Sequence, residues 1–87
     1  MKPVDKLLNE RQKTHGEYAE QALTTIALRH VMQQMPNWND MPAYMILALD
    51  MIAVKIARMG HGDWKHVDSA ADISGYATLV VKELEKK

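Results

Sequence analysis

Cysteine is absent from this sequence of 87 residues. The chain can therefore form neither a disulfide framework nor a thiolate metal site, and its composition suits a reducing cytosol. A chain of this length makes one domain, which we expect to span residues 1–87. A domain this small buries only about 60 to 65% of the surface that its unfolded chain exposes, so apolar packing must supply most of a thin stability margin.

An excess of either charge is also absent, because eleven basic residues balance eleven acidic ones. A neutral chain is poorly suited to broad electrostatic binding of nucleic acid or of an anionic membrane, although a local basic patch remains possible. The amino-terminal residues 1–11 have no uninterrupted apolar run, so they do not resemble a secretory signal. We expect a cytoplasmic protein with no membrane segment.

No stretch of the chain shows the alternating pattern of a β-strand, whereas four segments have a helical pattern. The fold class is therefore predicted to be all-α. The end signals are Gly16 after the first segment, Asp40 and Pro42 before the third, residues 60–63 after it, and Asp68 as a cap of the fourth. The predicted helices span residues 3–15, 17–35, 43–59 and 68–84.

The third predicted helix is apolar on nearly every side and is interrupted only by Asp50, Lys55 and Arg58. Such a helix belongs at the centre of a bundle, with neighbours on most sides. Short connections favour a compact antiparallel bundle of three long helices and one short amino-terminal helix. A bundle of this size leaves part of the central helix exposed to water, which predicts a homodimer or other homo-oligomer.

The flanking helices carry apolar stripes that predict their inward faces. In the second helix the spacing places Tyr18, Ala22, Ile26 and Met32 near one face, with Gln21, Thr25 and Arg29 away from its centre. In the fourth helix the stripe consists of Ile73, Ala77, Val80 and Leu84.

Lys55 and Arg58 lie about 60° apart around the third helix, so both side chains can reach one point. An ammonium and a guanidinium so placed could bind a phosphate or a carboxylate. Arg11 and His15 share a face of the first helix and complete the predicted ligand-binding set. The structural alternatives are that Lys55 and Arg58 pair with acids of the same fold, and that His15 is only a packing residue.

Asp68 and Asp72 lie four residues apart at the start of the fourth helix and are candidate ligands of a hard divalent cation such as Mg²⁺, a set to which a resemblance described below adds Asp50. In the alternative interpretation Asp68 is a helix cap and Asp72 pairs with Lys55 or Arg58. Gly75 inside this helix suggests close approach of another backbone or of a ligand.

Two further groups carry weaker signals. His61, Asp63 and His66 are close in sequence, but their spacing across a glycine-containing loop is poor for zinc. Trp38 and Trp64 could stack on a base or simply close the ends of the bundle. The chain has no nucleophile elbow, phosphate-binding Gly-rich loop or dinucleotide fingerprint, so covalent catalysis has no support.

Three segments, ERQKTHGEY, ALDMIAVKIARMGHGD and DSAADISGYATLV, together resemble a group of short phage and prophage proteins. That group shares an Arg-x-x-x-His-Gly start, a Lys-Ile-Ala-Arg helix and an Asp-Ile-x-Gly-Tyr-Ala helix. The resemblance covers most of the chain. It implies a small phage-type accessory protein in the cytoplasm of a bacterial host, with a host or viral protein as a possible partner.

The layout is also similar, more distantly, to the all-α nucleoside triphosphate pyrophosphohydrolases of the MazG type. Those proteins hold Mg²⁺ and a nucleotide's phosphates with Glu-x-x-Glu on one helix and Glu-x-x-Asp on the next. The resemblance implies that Asp72 stands for the final aspartate and Asp50 for an acid of the preceding helix. Ala53 and Ser69 occupy positions where the motifs have acidic residues.

These observations leave three hypotheses. The first is a non-catalytic or degenerate relative of the MazG type that needs no cofactor and acts by binding a protein partner or a nucleotide. The second is a Mg²⁺-dependent pyrophosphohydrolase, and the third, least favoured, is a nucleic-acid-binding module. We expect Lys55 and Arg58 to face Asp68 and Asp72. Asp50 points elsewhere, and Arg11 or His15 is its expected partner.

Overall fold

A computed structural model describes residues 3–86, which fold into four α-helices and one short 3₁₀ helix. The all-α prediction is confirmed, and no strand occurs in this range. The predicted domain 1–87 includes residues 1, 2 and 87, which lie outside the described residues. The elements are α1 (Pro3–His15), α2 (Tyr18–Gln33), the 3₁₀ helix (Trp38–Asp40), α3 (Ala43–His61) and α4 (Val67–Leu84).

The helix ends show where the predicted end signals operate. Pro3 opens α1, where its missing N–H costs nothing, and Gly16 ends it with a φ of 81°. Two predicted caps are wrong. Asp40 lies in the 3₁₀ helix, so that Pro42 precedes α3, and His66 precedes α4, which places Asp68 inside its first turn.

The central position of α3 is confirmed. α3 packs against both α2 and α4, whereas within the described chain α2 and α4 make little or no contact with each other. α1 packs more lightly on α2 and α3. Four of the seven buried residues with side chains that the structure describes lie on α3, namely Ala48, Ala53, Lys55 and Ala57.

The predicted inward face of α2 is half correct, because Ala22 and Met32 are partly buried and Met32 contributes to a groove with α3. Tyr18 and Ile26 of the predicted apolar face are 80% and 60% exposed, whereas Gln21 is buried. Gln21 tolerates burial because its Nε2 donates to the backbone oxygen of His15 at 3.3 Å, and Thr25 donates its hydroxyl to the Gln21 backbone oxygen at 2.9 Å. These hydrogen bonds satisfy the side chains of Gln21 and Thr25, so this polar side of α2 can lie in the interior.

The predicted inward stripe of α4 is correct for two of its four residues. Ile73 and Val80 are partly buried, whereas Ala77 and Leu84 are exposed. The buried residue of α4 is Ser69, whose small side chain permits a close approach.

The helical bundle is less compact than the sequence suggests. Its Cα radius of gyration is 15.1 Å, whereas a compact chain of this length has about 12 Å. Among the described residues no large side chain is fully buried, and fifteen large hydrophobic residues are exposed. A single chain therefore lacks a closed apolar core.

Gly75 does not mark a close contact, contrary to the prediction. A Cβ built at this position meets no atom within 4 Å. Because glycine inside a helix is unfavourable relative to alanine, we expect Gly75→Ala to raise the free energy of unfolding by about 0.5 to 1 kcal/mol. Urea unfolding followed by circular dichroism measures this change, and a loss of stability would instead indicate that a partner packs against Gly75.

Candidate anion-binding site

The site begins with a close backbone crossing between the end of α1 and the end of α3. A Cβ at Gly16 would overlap the backbone oxygen of His61, and a Cβ at Gly62 would overlap the backbone of Thr14 and His15. The Asp63 N–H donates to the Thr14 oxygen at 2.7 Å across the same crossing. The two glycines therefore let α1 and α3 meet directly, which fixes His15 beside the carboxyl-terminal half of α3.

A cavity of about 350 Å³ opens next to this crossing, between α1, the start of α2 and α3. None of the described residues that line it is acidic, and three are basic: Arg11, His15 and Arg58. Leu8, Gln12, Gly16, Tyr18 and Gln21 form the rest of its wall. We call this cavity, with its three basic side chains, the cationic cavity.

Two polar side-chain atoms of the residues that line the cationic cavity are unsatisfied within residues 3–86. His15 Nδ1 and Arg58 Nε are both buried and have no hydrogen-bond partner there. Neither Arg11 nor Arg58 forms an ion pair with a described carboxylate. Because buried polar groups are nearly always hydrogen-bonded, these two unsatisfied atoms are the main sign of a binding site.

The positive surroundings act on His15 itself. Burial of the ring is the first cause that lowers the pKa of His15 below 6.5, and repulsion by Arg58, His66, Lys55 and Arg11 lowers it further. The His66 ring lies edge-on to the His15 ring, with 6.1 Å between the ring centroids. His15 is therefore neutral near pH 7 in the free protein, and the cluster disfavours a further positive charge.

Lys55 is placed differently from Arg58. Its Nζ forms an ion pair with Asp72 Oδ2 at 3.0 Å, and its side chain is only 11% exposed. The predicted pairing of Lys55 with Asp72 is thus present. The predicted pairing of Arg58 with an aspartate is not found among the described residues. Lys55 therefore belongs to an internal ion pair, whereas Arg58 lines the cationic cavity.

Two of the expected partners are wrong. Asp50 Oδ1 lies 3.2 Å from Nε of Arg29 on α2, and not beside Arg11 or His15. Those two atoms are close but poorly aligned for a hydrogen bond, since both remain without one. Asp68 Oδ2 lies 3.2 Å from His66 Nε2, and not beside Lys55 or Arg58.

The three candidate metal ligands thus lie in three separate ion pairs. Within residues 3–86, no three histidine, aspartate or glutamate side chains come close enough together to form a metal site. His61, Asp63 and His66 are included in this result, so they do not form a metal site in the described structure. His61 Nε2 contacts the Thr24 hydroxyl at 2.6 Å, whereas Asp63 accepts from the Lys65 N–H at 2.9 Å.

The two tryptophans have different environments. Trp38, in the 3₁₀ helix between α2 and α3, is 5% exposed. Trp64 is 68% exposed, with the Lys65 ammonium 5.5 Å from the centre of its ring. No helix in residues 3–86 is both long and apolar enough to cross a membrane.

Sequence reasoning named every basic residue of the cationic cavity but missed what brings them together. The signal was available in two glycines at helix ends, Gly16 and Gly62, which were interpreted only as stop signals. Gln12, Tyr18 and Gln21 of the cavity wall carry no sequence signal of their own.

The comparisons with known proteins give one family. The profile of a domain of unknown function, DUF6378, matches residues 1–84 of the chain. No curated protein and no solved structure matches it. Because the match covers nearly the whole sequence, the chain belongs to the DUF6378 family.

Proposed function

We propose that this protein is a small accessory protein that binds a nucleotide, or a similar phosphorylated small molecule, without hydrolysing it. The observation that carries the proposal is the cationic cavity: Arg11, His15 and Arg58 surround it, with no described acidic residue in its wall. Guanidinium groups have several donors in a planar fork that matches phosphate oxygens, and neither Arg11 nor Arg58 forms an ion pair with a carboxylate in residues 3–86.

The cavity also has a suitable size and wall. Its volume of about 350 Å³ exceeds that of a bare phosphate, so part of the group that carries the phosphate can enter as well. Leu8 and Tyr18 provide apolar surface at its rim for that group. The resemblance to phage proteins and to MazG-type proteins, which act on nucleotides, supports a nucleotide in a bacterial host cytoplasm as the ligand.

The arrangement of carboxylates supports binding over hydrolysis. Phosphate chemistry with Mg²⁺ needs carboxylates that converge on the phosphates. Asp50, Asp68 and Asp72 instead pair separately with Arg29, His66 and Lys55. Ala53 and Ser69 replace the other acids of the resembled motifs.

We further propose that the working form is a homodimer. The accessible surface of the chain is 6581 Å², which exceeds by roughly 1,400 Å² the value of about 5,200 Å² expected for a folded monomer of its mass. A stable dimer buries about 800 Å² per partner, so the excess is more than sufficient. A host or viral protein is the alternative occupant of this surface.

The dimer contact is assigned to a groove between α2 and α3 that is lined only by apolar side chains. A second copy can present the same groove to it across a two-fold axis, as isologous dimers do. We call this groove the apolar groove, and it is lined by Leu28, Met32, Met35, Leu49, Ile52, Ala53 and Ile56.

A thermal-stability screen tests the proposed ligand class. The protein is heated with a panel of nucleoside triphosphates, with and without Mg²⁺, and each mixture is then assayed for released pyrophosphate. We expect at least one nucleotide to stabilise the protein without Mg²⁺, by about 2.7 kcal/mol at 100 times its dissociation constant, and no pyrophosphate to appear. Pyrophosphate release that requires Mg²⁺ would identify the hydrolase instead, and stabilisation by none would contradict nucleotide binding.

A further inference from the structure

Several basic side chains lie close to His15 at the cationic cavity. Their charge indicates that this ring does more than contact a bound molecule. Arg11 lies on the same helix, Arg58 and Lys55 approach from α3, and His66 approaches from the start of α4. Two of these are already balanced, because Lys55 pairs with Asp72 and His66 with Asp68. Arg11 and Arg58 are not balanced by any described carboxylate, and they share the cavity with His15.

His15 also has a polar ring atom that lacks a hydrogen-bond partner among the described residues. Its Nδ1 is buried without a partner among the described residues, as is Arg58 Nε. The backbone of His15 is held in the crossing at Gly62 and its oxygen accepts from Gln21 Nε2, so the residue stays beside the cavity. In the neutral ring one nitrogen is a donor and the other an acceptor, whereas in the imidazolium both are donors.

We propose that the cationic cavity takes up a tetrahedral oxyanion, as at the end of a phosphorylated ligand, together with one proton, and that His15 is the residue that accepts this proton. The proposal rests on the proposed function and adds to it the charge state of the bound site. An anion between Arg11 and Arg58 reverses the sign of the field at His15, so the imidazolium that was disfavoured becomes favoured. Both nitrogens of the imidazolium can then donate hydrogen bonds.

Anion binding and protonation of His15 are coupled, and the sign of this coupling follows from their charges. In the free protein the pKa of His15 lies below 6.5, so near pH 7 the ring is neutral. The bound anion raises that pKa, and by linkage protonation must tighten anion binding to the same extent. Affinity therefore falls as pH rises through the window between the free and the bound pKa, and it becomes independent of this group above the bound pKa.

Nuclear magnetic resonance of the wild-type protein measures this directly. The four histidine rings are titrated from pH 5 to 9 in sodium sulfate and, separately, in sodium chloride of equal ionic strength. Sulfate serves as the probe because, unlike phosphate, it does not itself titrate in this range. His15→Gln assigns the resonance, and His30 is the internal control because it is exposed on α2.

We expect sulfate to raise the pKa of His15 by about one unit or more relative to chloride, and to leave His30 unchanged. Saturable sulfate shifts at the Arg58 Nε resonance with an unchanged His15 pKa would overturn proton uptake while leaving anion binding intact. Absence of any saturable shift at Arg58 and His15 would overturn both this inference and the proposed function.

Discussion

Replacing Gly62 with alanine is expected to lower the free energy of unfolding by about 3 kcal/mol or more, which corresponds to a Tm lower by roughly 12 °C or more. The new Cβ would overlap the backbone of Thr14 and His15, which cannot rotate out of the way as a flexible side chain can. Relief requires α1 to move off α3, and that movement breaks the hydrogen bond from Asp63 to Thr14. Thermal unfolding followed by circular dichroism measures the effect.

Gly60→Ala is the matched control, because Gly60 lies two residues away at the end of α3 and a Cβ there meets nothing within 4 Å. We expect this variant to be at least as stable as the wild type. If both alanine variants kept the wild-type Tm, the close crossing of α1 and α3 would be wrong, and with it the position of His15.

Replacing Ile56 with glutamate is expected to convert the proposed homodimer into a monomer. Ile56 is 48% exposed in the single chain and lines the apolar groove, so a dimer through this groove would bury the new carboxylate without a partner. The two-fold axis introduces the charge on both sides of the contact. The dimer dissociation constant should rise about 100-fold or more, as about 3 kcal/mol or more implies.

Sedimentation velocity over a range of protein concentrations measures this change. Leu23→Glu is the control, since Leu23 is 73% exposed on α2 but does not line the apolar groove. We expect that variant to remain dimeric. A wild-type protein that sediments as a monomer at all concentrations would contradict the dimer, and a dimer that survives Ile56→Glu would place the contact elsewhere.

The sequence was informative wherever the spacing within one helix decides the outcome. The bounds of α1, the central position of α3 and the shared face of Arg11 and His15 all follow from periodicity and end signals. The pair of Lys55 and Asp72 was also predictable, because a buried ammonium needs a carboxylate and few are within reach.

The sequence was less informative about how each helix is rotated about its own axis, which decides the side chains that face its neighbours. Arg29 of α2 pairs with Asp50 of α3, and the buried Gln21 donates to the end of α1, although both were predicted away from the centre of the inward face. The apolar stripe was correct for Ala22 and Met32, which are partly buried, and wrong for Tyr18 and Ile26, which are exposed. The meeting of Gly16 with α3 likewise depends on a contact between segments far apart in sequence, which no local pattern encodes.

The central claim is that the cationic cavity binds a phosphorylated ligand, and isothermal titration calorimetry of three proteins tests it most directly. The nucleotide with the largest thermal shift, and inorganic pyrophosphate, are each titrated into the wild type, Arg58→Gln and Lys13→Gln. Lys13 is exposed on α1 and does not line the cavity, so it controls for the loss of one positive charge.

We expect the affinities of the wild type and Lys13→Gln to agree within about twofold, because an exposed charge contributes little. The affinity of Arg58→Gln should be lower by a factor of about 10 or more, since a charge-assisted hydrogen bond contributes about 1.5 to 3 kcal/mol. Equal affinities for all three proteins, or no binding to the wild type, would contradict the assignment of this cavity.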